Sequence, residues 1–529
     1  MTRKALFGIL ILFAIPLQAQ DLVYSPGILG NSITNLGSAG ESIWLGPYLN
    51  VSHDGGSTWE IASVEPFRDF ANSVFSLSIH GQSIWAGVGN QYTRTDGQGE
   101  LETINDVQGL LYSPDGGNTW SYWPPTPPTD NDPVTTGMLD TAEDTQIKYG
   151  NITLDTLPIT VPAQSPPWDL DYDTATGTLW LAGQLAGIRR SMDLGRTWER
   201  VVLPPDTSAY LGPELGYEFS FTVQPVGVAP AQFHGLNFQA FSVRVDDIGT
   251  IWAGTAGGLN RSEDGGVSWY HYTTNDGLLG NWVISIEVQT RNAQPPAVWA
   301  TNWPGRGRNQ GYGISVTRDG GTSFQTALHG EQCSDFAFDG PRIYVACSRG
   351  LYQSTDNGNT FFLNNEFIDR VNPSRSMRPG ARIYAVEVTE NALWVGSQDG
   401  LFKSTDRGKS WEIFRTEVPL DPTGLPPVIP ADRVPRVSTY AYPNPFSPSS
   451  DRLVRLRYDL DQSQTVNIRI FDYSMTLVRE ILSASGSVGA NEAAWDGTDD
   501  KGTRLANGPY FYAIQAGNDT FWGKILIAE

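Results

Sequence analysis

Several things are scarce in this 529-residue chain, and each scarcity closes off a class of protein. Cysteine occurs twice, at 333 and 347, which excludes a disulfide-rich scaffold and a cysteine-built zinc site. Lysine occurs six times against 29 arginines, and the net charge is −22. A balance that acidic lacks the basic footprint of a nucleic-acid-binding protein. None of the five histidines clusters with another. Phosphate-binding loops, nucleophile elbows and zinc-helix motifs are missing, so no cofactor and no metal are expected. Helical periodicity is nearly absent, which leaves an all-β chain. Long apolar runs are missing too, except over 5–17, which is too short to span a bilayer. Behind Arg3 and Lys4, and ahead of Gln18-Ala19-Gln20, that run reads as a secretory signal over residues 1–20. No cysteine follows it, so no lipid anchor is expected, and no other segment reads as transmembrane.

What is abundant is glycine (56), proline (35), tryptophan (17) and one repeated phrase. Seven times the chain writes Ser/Thr-x-Asp-x-Gly-x-Thr/Ser-Trp/Phe, at 52–59, 113–120, 191–198, 262–269, 317–324, 354–361 and 404–411. Asp accepts hydrogen bonds from nearby backbone N–H groups and Gly takes positive φ freely, so each copy reads as a stapled turn between two strands. A second phrase precedes each copy: an aliphatic–aromatic pair and then small residues, as in Ile43-Trp44, Ile84-Trp85, Leu179-Trp180, Ile251-Trp252, Val298-Trp299, Ile343-Tyr344 and Leu393-Trp394. With a strand before that pair, every unit supplies four short strands. Residues 21–28 precede the first unit and are available to an outer edge.

The repeated phrase resembles the Asp-box of bacterial neuraminidases and related β-propellers. The resemblance implies a seven-bladed β-propeller of four-stranded blades over 21–416. It also implies a structural, rim-side role for Asp54, Asp115, Asp193, Asp264, Asp319, Asp356 and Asp406. Cys333 and Cys347 flank the Asp339-Gly340 turn almost symmetrically, which in an oxidising compartment favours a disulfide over two buried thiols.

Residues 417–437 are rich in proline and lack periodicity, as a linker does. Alternating strands follow over 438–529 and predict a small Ig-like β-sandwich. Tyr442-Pro-Asn-Pro-Phe446 and the terminal Gly523-Lys-Ile-Leu-Ile527 resemble the ends of the type IX secretion sorting domain. Trp495-Asp-Gly-Thr-Asp-Asp-Lys-Gly502 resembles the Ig-like domain of flagellar hook-capping proteins. The resemblance implies recognition by outer-membrane secretion machinery, then an extracellular or cell-surface location, with cleavage in the linker as one outcome. Asp496, Asp499 and Asp500 do not keep calcium-loop spacing, since Lys501 stands where a glycine is needed; a charged turn is the better reading.

The boxes recur unevenly, and the excess residues fall at 121–165, 204–238 and 362–382, between one unit and the next, and at 88–108 and 301–312, between second and third strands. In an up-and-down blade both loop types emerge on one face, opposite the boxes. Long loops on a rigid scaffold are where function resides. The aromatic and cationic residues there are the candidate ligand contacts: Tyr92, Arg94, Trp168, Tyr210, Tyr217, Trp303, Arg306, Arg308, Arg375 and Arg378. Aromatics stack on sugars and arginine clasps carboxylates; the alternative is that these side chains only pack the insertions together.

Asp-box propellers include sialidases, but the Arg-Ile-Pro phrase of that family is missing, and Arg68 is the nearest early arginine. Xyloglucanase relatives clasp a glucan between two propellers, and this chain has one. The acids Asp130, Asp132, Asp140, Glu143 and Asp144 of the first long insertion are not marked as a pair by spacing. The photosystem II assembly propellers resemble the ring alone. The expectation is therefore a secreted, monomeric, non-catalytic binder of a glycan or surface protein. The alternatives are a glycoside hydrolase acting on extracellular polysaccharide and a purely structural surface-layer component.

Overall fold

The computed structural model describes residues 22–25, 27–62, 64, 72–95, 99–126, 137–141, 144–155, 159, 163–215, 235–291, 295–305, 309–373, 375–416, 439–449 and 451–529. The stretches expected to be a signal (1–20) and a proline-rich linker (417–437) lie outside them. The chain is all-β: the described helical turns are two short 3₁₀ pieces, Pro213–Leu215 and Leu236–Phe238. No helix among the described residues is long and apolar enough to cross a membrane.

Among the described residues between 22 and 414, seven antiparallel sheets of four or five strands each start on an innermost strand and move outward one hairpin at a time, and a separate two-stranded hairpin, Gln146–Tyr149 with Ile152–Asp155, lies in the first long insertion. The innermost strands are Leu36–Ala39, Ser73–His80, Pro167–Asp173, Ala240–Val245, Trp282–Gln289, Cys333–Asp339 and Ile383–Val388. Each lies against the next in chain order, and the last returns to the first, which gives a propeller-like ring around an axis. Two sheets carry a fifth, outermost strand: Leu22–Ser25 pairs with Trp59–Ala62, and Tyr210–Leu211 pairs with Trp269–Tyr272. The expectation of four strands per sheet is corrected at these two places, where spare chain covers an edge that would otherwise be open to pairing.

The repeated phrases explain the packing. Trp44, Trp85, Trp180, Trp252, Trp299 and Trp394, one on each of six second strands, are almost fully buried, and Tyr344 occupies the same place in the sixth sheet. Four box glycines sit against the second-strand Trp of the preceding sheet. A Cβ on Gly117 would collide with Trp44, one on Gly266 with Trp180 and one on Gly358 with Trp299. All three have φ between +83° and +91°, so glycine is required there twice over. Gly56, in the first sheet, lies against Trp394 and Phe414 of the seventh, so the same contact closes the ring.

Each box carboxylate is engaged within its own turn. In the first, Ser52 Oγ donates to Asp54 Oδ1, the Thr58 N–H donates to Oδ1 at 2.8 Å and Thr58 Oγ1 donates to Oδ2 at 2.7 Å. The pattern repeats at the other six. At Asp356, bonds from Thr360 and Ser354 hold the carboxyl down at about 2. At Asp406 burial opposes the bonds from Ser410 and Ser404, yet the carboxyl again lies at about 2. Cys333 and Cys347 face each other across the first hairpin of the sixth sheet and form a disulfide.

The C-terminal module is Ig-like. A three-stranded sheet, Thr439–Tyr442, Val454–Leu460 and Gly489–Trp495, packs on a four-stranded one around Phe446, Leu456, Ile468, Trp495 and Ile514. Asp496 and Asp499 accept backbone N–H bonds within their own turn, and Asp500 accepts one from Glu480.

Candidate functional site

A cavity of about 1370 Å³ runs along the ring axis, lined by the innermost strands of all seven sheets. Its wall is patterned by one recurring irregularity. Six of the seven inner strands carry a register shift near their start, between Val74 and Ser76, Pro167 and Asp169, Ala240 and Ser242, Val283 and Ser285, Cys333 and Asp335, and Ile383 and Ala385. The extra residue is Phe75, Trp168, Phe241, Ile284, Ser334 and Tyr384, and each lines the cavity. A bulge leaves one residue unpaired and re-aims its side chain. Repeated around the ring, it places an aromatic belt at the end where the long insertions emerge. Phe75 and Trp168 pack with ring centres 5.4 Å apart, and Phe241 packs on Trp282 at 5.9 Å. The indole N–H groups of Trp168 and Trp282 have no hydrogen-bond partner among the described residues.

Beneath the belt the wall is acidic. Asp169 and Glu287 grip Arg244 from either side, each at 2.6 Å. Asp335 Oδ2 accepts the Val386 N–H at 2.9 Å, and Asp169 and Asp171 accept N–H bonds from Val243 and Val245. A carboxylate on one inner strand thus ties down the backbone of the next. Glu387 accepts a 2.6 Å bond from Ser38, across the junction of the seventh and first sheets. Burial pushes Asp169 up to about 6 despite Arg244, pushes Glu387 up to about 7, and lifts Asp335 well above the usual carboxylate range, with Glu287 adding repulsion at both of the last two. Asp169, Asp171, Glu287 and Glu387 therefore act on one guanidinium, and the burial that raises Asp169, Glu387 and Asp335 favours their protonated forms.

Of the residues expected from sequence to meet a ligand, Trp168 and Trp303 line this cavity. Trp303 donates its indole N–H to the Cys333 carbonyl at 3.1 Å. Tyr92 and Arg94 stand on the long hairpin Ser83–Thr95 and Leu101–Ser113, where Arg94 pairs with Glu102 at 3.2 Å. Tyr210 lies on an outer edge strand and bonds Glu214. Arg378 reaches the Asp451 carbonyl of the Ig-like module at 2.9 Å, and Arg375 lies in the same insertion. Tyr217, Arg306 and Arg308 lie outside the described residues, as do Arg68, Asp130, Asp132 and Glu143. Asp140 is fully buried between Arg189 and Arg200, and Asp144 caps Thr141, so these two acids anchor the first insertion.

Phe75, Phe241, Tyr384, Asp169, Arg244, Glu287, Asp335 and Glu387 are the cavity residues that sequence reasoning missed. The signal was present in the inner strands themselves. Aligned on the aromatic of the following strand, Phe75–His80, Trp168–Asp173, Phe241–Asp246, Ile284–Gln289 and Tyr384–Thr389 share a bulky first residue and an apolar third.

Residues 449–520 match the FlgD Ig-like domain family. No curated protein matches the chain. Among solved structures, the GH74 xyloglucanase of Xanthomonas campestris is 12% identical, covers 95% of this chain and 68% of its own, and has a TM-score of 0.47. The type-IX secretion component PorZ of Porphyromonas gingivalis is 12% identical, covers 94% and 75%, and scores 0.36. YCF48 from Cyanidioschyzon merolae is 16% identical, covers 74% and 99%, and scores 0.43.

Proposed function

We propose that this chain is an exported, monomeric, seven-bladed Asp-box propeller that binds a glycan or a surface protein, without catalysis, at the insertion-side mouth of its central cavity. The observation that carries the reading is the ring of bulges. Six inner strands interrupt their pairing at the same height, and four of them use the extra residue to present an aromatic ring. Aromatic faces stack on sugars and on apolar side chains. The sorting-type Ig-like module would engage the outer-membrane secretion machinery and deliver the propeller to the cell surface or beyond it. A sialidase reading finds little support, since Arg244 is the single arginine lining the described cavity and both its neighbours are carboxylates that neutralise it.

Glu387 favours a second reading, glycoside hydrolysis. A carboxyl pushed up to about 7 is a proton donor at physiological pH, as a general acid must be. A glycan array followed by reducing-sugar release on any hit separates the two. Binding with no release supports the non-catalytic function; release that disappears in Glu387→Gln supports hydrolysis.

A further inference from the structure

The outer face of the three-stranded sheet in the Ig-like module is built like a surface and buried like a core. Along Val454–Leu460, side chains alternate: Val454, Leu456 and Tyr458 point into the sandwich, and Arg455 points away from it. Its cross-strand neighbour Tyr442 shares that outward face, and Glu492 emerges there from the third strand. In a free-standing sandwich these groups would be hydrated. Here Arg455 is 7% exposed and Glu492 3%.

What covers them is the ring. Arg415 donates to Glu492 at 2.9 Å and to Asp399 at 3.0 Å, and Arg455 reaches the same Asp399 at 2.5 Å. Tyr442 closes the set by donating to Glu492. Two arginines and two carboxylates thus alternate across the domain boundary, balanced in charge and shut off from water. Asn372 of the last insertion adds a bond to the Ala490 carbonyl at 2.5 Å.

The location of this quartet is informative. Among the described residues the first and seventh sheets exchange no strand, and other contacts hold the ring shut there. One is the segment after residue 28. Gly400 donates its N–H to the Asn31 carbonyl at 2.6 Å, Ile33 donates to the Ser397 carbonyl at 2.8 Å, and Asn31 exchanges two bonds with the Thr416 backbone. Asp399 and Arg415 are the immediate chain neighbours of Gly400 and Thr416. The module therefore grips the two loops that receive the N-terminal segment.

We propose that the Ig-like module is a clasp: it holds the ring closed at the junction of its first and seventh sheets, and it stays docked when the linker is cut. The claim is independent of what the cavity binds. The full chain with a site-specific protease sequence inserted in 417–438 is cut and passed over a sizing column at 0.15 M and 1 M NaCl. Co-elution of both fragments at both salts is expected, because buried pairs are screened little. Separation of the cut wild-type chain overturns the proposal. In the uncut chain, Arg455→Met should speed hydrogen exchange at Ile33, Gly400 and Thr416 at least tenfold and leave the Val243 and Val245 amides unchanged. The milder Asn372→Ala should do the same to a smaller extent. Unchanged exchange at those three amides in both variants overturns the clasp.

Discussion

Two buried groups of charges can be set side by side in this molecule. At the domain boundary Arg415, Arg455, Asp399 and Glu492 balance, and nearly every polar atom has a partner. In the axial cavity Asp169, Asp171, Glu287 and Glu387 share Arg244, the one arginine lining its described wall, and Asp335 is repelled by Glu287 and Glu387. A balanced, desolvated set does mechanical work, because each charge needs the others in place. An unbalanced set beside an open cavity is held at a cost, and protonation relieves it. Raised carboxyl groups cluster at functional sites for that reason. The contrast separates a group of charges that holds shape from one beside the cavity proposed to receive a ligand.

The most forceful way to break the comparison is Arg415→Met. It leaves Asp399 and Glu492 buried with one cation between them, and the expected loss is about 3–5 kcal/mol in denaturant unfolding. A loss below about 1 kcal/mol would place the quartet with ordinary surface pairs. Glu387→Gln should act with the opposite sign. The folded pKa of Glu387, about 7, lies above its ordinary 4.5, so ionisation destabilises the fold as pH rises through that window. The variant should be more stable than wild type by on the order of 2 kcal/mol at pH 8 and equal to it at pH 4. A wild type that gains stability between pH 5 and pH 8 at this residue would contradict the reading. The smallest effect concerns the boxes. Asp406, held at about 2, contributes stability that is complete above about pH 4 and is lost as pH falls toward 2. After solvent screening, Asp406→Ala should cost about 0.5–1 kcal/mol at neutral pH, and that ionisation-linked cost should shrink as pH falls through about 2.

Much of the ring was legible because its determinants are local. A box is eight residues long, and its Asp, Gly and hydroxyl bond one another within four positions, so the turn can be read wherever the phrase occurs. The aromatic of each second strand was legible for the same reason, as was the Cys333–Cys347 pair, which spans one hairpin. The proposed binding surface was less so. Loop aromatics such as Tyr92 and Tyr210 drew attention through their unusual segments, yet Tyr210 lies on an outer edge strand and Trp168 on an inner one. The difference is one of register, and a bulge that shifts register by one residue leaves no mark in a single strand. Only the six inner strands compared with one another reveal it. The quartet was illegible for a different reason. Asp399 and Glu492 are far apart in sequence, and each alone reads as an ordinary surface acid.

The central claim is that the aromatic belt, and not the outer loop surface, meets the ligand. It is tested most directly by presenting wild type, Trp168→Ala and Tyr210→Ala to the same glycan array at matched folded concentration. A signal reduced at least tenfold in Trp168→Ala and unchanged in Tyr210→Ala is the predicted result. Loss in Tyr210→Ala with Trp168→Ala unaffected would contradict the account and move the site to the rim.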